Sequence, residues 1–151
     1  PYPKEDDSMD FFTALHISTT GLSAYRTRMS IISTNIANVH TTRTPAGGTY
    51  RRKLVVMEAL PIEDFESILM SQSESLRGVR VGEIVEDKTP LRQVYSPGHP
   101  HADKAGYVYM PNVNIMTEMA DMLIARRSYE ANVTAIGATK AMALKALEIG
   151  K

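Results

Sequence analysis

The stretch DFFTALHISTTGLSAYRTRMSIISTNIANV, residues 10–39, carries the pattern that decides the architecture. Stepping alternately by four and three from Phe11 visits Leu15, Ser18, Leu22, Tyr25, Met29, Ile32, Ile36 and Val39, and eight of these nine positions are apolar. Steps averaging 3.5 residues hold side chains on one helical face and are the spacing of a coiled-coil seam. Ser8 or Asp10 suits the cap position. The Thr-rich run after Val39, then Pro45 and the Gly47-Gly48 pair, end the helix.

The C-terminal segment repeats the pattern. Asn114 is a plausible cap, and Ile115, Met119, Met122, Arg126, Tyr129, Val133, Ile136, Lys140, Ala143 and Leu147 follow at the same spacing, with Gly150 as a stop signal. Arg126 within the seam reads as a snorkelling or paired residue. A second stripe, Ile124, Ser128, Ala131, Ala135, Ala138 and Met142, is small and apolar. A helix apolar on two faces needs more than one neighbour. At 1.5 Å per residue the two helices are about 45 and 50 Å long. A compact domain of this mass is only about 30 Å across, so one partner helix leaves apolar surface for other copies or other proteins.

Between the helices the period changes. TYRRKLVVMEAL (49–60) has a β-rich centre at residues 54–57, and GVRVGEIVED (78–87) alternates as a half-buried strand does. LRQVYS (91–96) and GYVYMP (106–111) are two further short strands. The fold class expected is α+β, mainly α: long terminal helices paired as a coiled coil, with a small β-rich insertion. Residues 1–8 read as an extension or an expression scar ahead of Met9. Residues 9–42 form the N-terminal helix, 43–111 the β-rich middle with a loop near 58–76, and 112–151 the C-terminal helix.

Composition narrows the function. Seventeen basic and seventeen acidic residues cancel over the 151-residue chain, which argues against a surface built for nucleic acid or anionic lipid. There is no cysteine, so disulfides and thiolate metal sites are excluded. The N-terminal residues lack the basic start and apolar core of a cleaved signal peptide, and no apolar run approaches the length of a membrane span.

The candidate chemistry is thin. In YSPGHPHADKAGYVYMPNVN (95–114), His99, His101 and Asp103 fall within five positions, and a metal hydrolase would need such groups to converge in threes or fours. The competing reading is a turn, with Pro97-Gly98 at the centre of a type II turn whose glycine takes positive φ. The turn is favoured. RTPAGGTYRRK (43–53) places its glycines after a helix rather than before one, unlike a phosphate loop, and reads as a solvated loop with an interaction role. No Gly-x-Ser-x-Gly elbow occurs, and Glu63/Asp64 and Glu86/Asp87 lie in polar stretches. No enzyme, cofactor or metal is expected.

Three stretches resemble one family. NIANVHTTRT (35–44), with Asn35, Ala37, Asn38, Val39 and Thr41, is similar to the Asn-Ile-Ala-Asn-Val-Asn-Thr signature of the flagellar rod and hook axial proteins. EMADMLIARRSYEANVTAIGATKAMALKALEIGK (118–151) resembles their C-terminal motif. YSPGHPHADKAGYVYMPNVN resembles a run in the proximal-rod branch. His40, Ser96 and His101 depart from the family's usual residues. The resemblance implies a structural subunit, exported uncleaved through the flagellar type III apparatus. Such subunits polymerise into a hollow helical rod that crosses the periplasm, transmits torque and conducts exported subunits.

The partners implied are copies of itself, related rod subunits and a hub protein at the export gate, without nucleic acid or membrane insertion. The assembly seams implied are Phe11, Leu15, Leu22, Tyr25, Met29, Ile32 and Ile36 against Met119, Met122, Tyr129, Val133, Ile136 and Leu147. Pro97, Gly98, His99, Pro100, Gly106, Pro111, Asn112 and Asn114 would form a joint returning the chain to the inner helix, with Asn112 or Asn114 as its cap. The rival readings are another axial subunit of the same apparatus and a cytoplasmic coiled-coil scaffold.

Overall fold

A computed structural model describes residues 11–61 and 77–149. In chain order these form α1 (Phe11–Ala37), β1 (Lys53–Pro61), β2 (Arg77–Glu86), β3 (Arg92–Tyr95), β4 (Tyr107–Met110) and α2 (Ile115–Ile149). The expected caps at Ser8 or Asp10, the stop at Gly150, the 1–8 extension and residues 62–76 of the expected loop lie outside the described residues. β1 runs to Pro61, so residues 58–61 are strand rather than loop.

The insertion is two separate two-stranded antiparallel sheets rather than one element. β1 and β2 pair from Lys53 opposite Glu86 to Pro61 opposite Arg77. The register slips between Val56 and Met57, where Glu83 and Val81 face consecutive residues of β1 and leave Gly82 without a partner. β3 and β4 pair from Arg92 opposite Met110 to Tyr95 opposite Tyr107. α1 lies between the β1–β2 sheet and α2, and among the described residues no strand lies along α2. Thr20 ties α1 to β2 by accepting a hydrogen bond at Oγ1 from the Val79 amide, 3.2 Å.

The two helices run antiparallel. Asn35 meets Glu118, Arg28 reaches Asp121, Gly21 touches Asn132, and Ala14 and Thr139 line one cleft near the far end. The contact line therefore takes every seventh residue: Ala14, Gly21, Arg28 and Asn35 against Thr139, Asn132, Ala125 and Glu118. These are small or polar side chains. Gly21 shows why: a Cβ there would lie 2.9 Å from Asn132 Oδ1, so the helix backbones approach closely only because it has none.

This is not the contact line that apolar spacing predicts. Of the expected α1 seam, Ile32 is buried, while Phe11, Leu15, Leu22, Tyr25, Met29 and Ile36 are half-buried. Of the expected α2 seam, Met119, Val133 and Leu147 are 57%, 47% and 71% exposed, and Met122, Tyr129 and Ile136 are half-buried. Arg126 is exposed and pairs with Glu130 one turn on, at 2.8 Å. Hydrophobic periodicity finds the face with the greatest apolar contrast. A line of Gly, Ala, Thr, Asn, Arg and Glu offers little, so the intramolecular contact is invisible to it.

Among the described residues the buried apolar ones are few: Ala24, Ile32, Tyr50, Val108 and Ala125. Seventeen of the described large apolar or aromatic side chains are exposed by comparison, ten of them on α2. At the end remote from the strands, Phe11, Phe12, Met142 and Leu147 border an apolar cleft of about 730 Å³ between the helices.

The β3–β4 connection depends on Gly106, at φ 82°. A Cβ there would lie 2.9 Å from the Tyr95 ring, itself edge-on to Tyr107 with centroids 5.3 Å apart. Gly106→Ala meets both the left-handed backbone cost and this clash. It is expected to lower the unfolding free energy by about 1–3 kcal/mol, read from urea denaturation. An unchanged midpoint would show that the turn is not so constrained.

Candidate functional site

The largest fully buried side chains are polar: Glu118 and Asn35. They sit where the end of α1, the lead into β1 and the first turns of α2 converge. Asn35 uses its whole hydrogen-bonding capacity. Its Nδ2 donates to the Lys53 carbonyl (2.9 Å) and to Glu118 Oε2 (3.0 Å), while its Oδ1 accepts from the Lys53 amide (2.9 Å) and the Tyr50 hydroxyl (2.8 Å). An amide side chain has two donors and two acceptor sites, so nothing is left over.

Arg52 closes the other side. Its Nε donates to Glu118 Oε1, one terminal nitrogen donates to Asp121 Oδ2 at 3.1 Å, and the other lies 3.8 Å from Asp87. One guanidinium thus joins two turns of α2 to the end of the β1–β2 sheet, a geometry that a planar fork of five donors allows and an ammonium does not. Arg28 reaches Asp121 from α1 at 3.9 Å. Among the described residues no buried side-chain nitrogen or oxygen lacks a partner. A buried carboxylate is tolerable only under that condition.

Asn112 completes the clasp. Its Oδ1 accepts from the Arg52 amide at 2.8 Å, and its Nδ2 donates to Thr89 Oγ1 at 2.8 Å and to the Asp87 carbonyl at 3.2 Å. Asn112 is therefore a brace, and the helix cap is Asn114, whose Oδ1 accepts from the amides of Met116 and Thr117 at 2.9 and 3.4 Å. Pro111, buried, precedes them.

The remaining joint residues make turns. The His99 amide donates to Ser96 O (3.0 Å), closing a turn around Pro97-Gly98. Its glycine is not in the left-handed region, since the glycines with positive φ among the described residues are Gly47, Gly48 and Gly106. The type II assignment is thus corrected: that turn requires positive φ at its third position, which Gly98 does not have. Pro100 leads to a second turn, where Ala102 donates to His99 O (3.0 Å). His99 Nδ1 accepts from the His101 amide, and His101 Nδ1 meets the Thr42 hydroxyl at 2.8 Å. Asp103 Oδ1 accepts the amides of Ala105 and Tyr107. The three groups serve local backbone and a neighbouring loop rather than one point, and among the described residues no group of three or more metal-ligating side chains gathers.

The family-motif residues stop α1. After Ala37, Asn38 donates from Nδ2 to Thr34 O (2.9 Å) and accepts at Oδ1 from the Thr41 hydroxyl (3.1 Å). Val39 is half-buried, and Thr41 O accepts the Tyr50 amide at 3.2 Å. Asn35 begins this motif, but its partners are remote in sequence: Glu118, Lys53 and Tyr50 lie 83, 18 and 15 residues away, and the last two fall in the stretch that reads as a solvated loop. The seven-residue interval joining Glu118, Ala125, Asn132 and Thr139 was a signal that could have found the first of them.

Burial, then the nearby Glu118 and Glu86 carboxylates, raise the Tyr50 hydroxyl above its ordinary range, keeping it the proton donor that Asn35 requires. The Asp87 carboxyl is lowered, first by the Thr89 backbone amide and then by the Thr89 side chain, against desolvation, with Arg52 and Arg51 adding to the lowering. A depressed carboxyl contributes stability above its unfolded value and loses it as pH falls through the folded one. Asp87→Asn is therefore expected to flatten the decline in stability below about pH 4, measured by urea unfolding across pH. An unaltered profile would remove Asp87 from the clasp's acid response. Asn35→Ala forfeits four hydrogen bonds and strands the Glu118 and Tyr50 groups. A loss of about 2–4 kcal/mol is expected, and a loss within experimental error would show the clasp to be incidental.

Comparison with known proteins identifies the chain. Residues 104–149 match the family described as flagellar basal body rod FlgEFG protein C-terminal, and residues 15–43 match the flagella basal body rod protein family. The flagellar basal-body rod protein FlgC of Bacillus subtilis (strain 168) is 45% identical, covering 95% of this chain and all of that relative. FlgC of Borreliella burgdorferi is 43% identical over 93% of this chain and 98% of its own length. FlgC of Salmonella typhimurium is 34% identical over 95% of this chain and its own full length. The two matched families cover nearly the whole of α1 and the whole of α2, the segments that the clasp joins, and the chain belongs to the FlgC family of flagellar basal-body rod proteins.

Proposed function

We propose that the chain is a structural, non-enzymatic subunit of the proximal rod of the bacterial flagellar basal body. It polymerises with copies of itself and with related rod subunits into a hollow helical shaft. The shaft crosses the periplasm, transmits motor torque and conducts exported subunits, and it meets a hub protein at the export gate. The chain reaches its place through the flagellar type III export apparatus, without a cleaved signal.

Beyond family membership, one observation carries the assembly reading: the chain buries little apolar surface and exposes much. Monomeric proteins rarely expose large contiguous apolar patches, and here Met119, Leu123 and Val133 are each about half exposed on one long helix. Other copies supply the missing cover, with the expected seams making coiled-coil contacts between subunits. Leu15, Leu22, Tyr25 and Met29 on α1 and Met122, Tyr129, Val133 and Ile136 on α2 are the stripes we assign to that contact. The joint residues 95–114 return the chain from the outward β-rich segment to α2.

Leu22→Asp or Val133→Asp is expected to abolish incorporation into rods and motility, while strand signals in the circular dichroism of the purified chain persist. Because Val133 is 47% exposed, its replacement should change monomer stability by less than about 1 kcal/mol. Normal rods from either variant would contradict the stripe assignment.

A further inference from the structure

α2 has two possible seats on α1. In the structure it rests on the small and polar line, with Ala125 wholly buried and Asn132 against Gly21. The larger stripe through Met122, Tyr129 and Val133 lies roughly 65° round the same helix, given the 100° step of a 3.6-residue turn. On α1 the stripe through Leu22, Tyr25 and Met29 flanks the seam on the side away from Thr20, the residue that holds β2. Because the helices are antiparallel, these two stripes border the same edge of the seam. Rolling α2 towards that edge would set Val133 and Tyr129 against Leu22 and Tyr25 and remove large apolar side chains from water, which hydrophobic burial favours.

What opposes the roll is polar. Among the described residues no strand lies along α2, so its angular setting depends on side chains: Glu118 to Asn35 and Arg52, Asp121 to Arg52 and Arg28, and the fit of Asn132 over Gly21. We propose that the Asn35–Arg52–Glu118 clasp is a rotational lock. It holds α2 on the small-residue line and so leaves the apolar stripes half-buried or exposed at the edge of the seam, rather than within it. Without it, α2 rolls and the chain buries the stripes within itself. That the stripes left at the edge meet another subunit rests on the rod-subunit reading; the lock does not.

The chain contains no cysteine, so introduced pairs report the seat directly. Gly21→Cys with Asn132→Cys tests the observed seat: the Asn132 amide that would crowd a Cβ at position 21 is removed, and the positions are within disulfide reach. Leu22→Cys with Val133→Cys tests the rolled one. In the otherwise unaltered chain under mild oxidation, the first pair is expected to cross-link and the second is not. In Glu118→Ala the cross-link shifts from the first pair to the second. In Arg52→Lys, where an ammonium replaces the fork spanning Glu118, Asp121 and Asp87, the shift is partial.

Cross-linking of Leu22→Cys/Val133→Cys in the unaltered chain would overturn the proposal. So would a Gly21→Cys/Asn132→Cys preference that survives Glu118→Ala, or loss of both cross-links with helical circular dichroism retained. Should Glu118→Ala lose its helices, the Arg52→Lys ratio decides: a shift supports the lock and no shift overturns it. Incorporation into rods is read separately. A variant that has rolled and still incorporates would leave the lock standing and sink the assignment of the stripes to assembly.

Discussion

A carboxylate with no solvent contact is the constraint around which this small chain is organised. Glu118 can be held there only if its charge and both its oxygens are met, and they are met from two directions: by Arg52 ahead of β1 and by Asn35 near the end of α1. Each of those segments is fixed in turn, Asn35 by Tyr50 and Lys53, and Arg52 by Asn112, Asp121 and Asp87. A conventional apolar core usually sets how elements are disposed. Among the described residues the buried apolar ones include two alanines and only one large aliphatic side chain besides Val108, so polar bonds with strict geometry take over that task.

This division of labour explains the composition of the helices. Their mutual contact is small and polar because the backbones come close at Gly21 and because Glu118 and Asn35 occupy one end of the line. The bulky residues are thereby displaced to the flanks. In a self-contained protein that would be poor economy of apolar surface; in a subunit whose neighbours complete it, the flanks are where cover arrives. Family membership and the distribution of exposed side chains thus agree on one kind of object, a component of a larger shaft.

Much of the architecture was legible in the sequence. The helices follow from four-three spacing, the strands from Val-rich alternation, and the cap at Asn114 and the turns at 96–107 from short-range chemistry that acts within a few residues. What escaped was long-range or low in contrast. Arg52 and Glu118 are 66 residues apart, and each in its own window looks like ordinary surface charge. The Gly21–Asn132 line carries no hydrophobic signal at all. The apolar stripes follow from spacing, but periodicity says only that a face avoids water, not whether its cover lies within the chain or in another molecule. Gly98 was assigned left-handed backbone because glycine permits it, and permission is weaker than need: Gly106, crowded by Tyr95, is where the need falls.

The exposed ion pairs, Arg80–Glu58, Arg126–Glu130 and Lys145–Glu148, differ from the clasp in how they sense the medium. Mobile ions screen exposed pairs within about 8 Å at ordinary salt, and screen partly buried ones much less. With Glu118 at 1% and Arg52 at 20% side-chain exposure, the link between helices and strands feels added salt less than the exposed pairs do. A joint of this kind is buffered against changes in the salinity around it, which suits a part whose form must not drift with its surroundings.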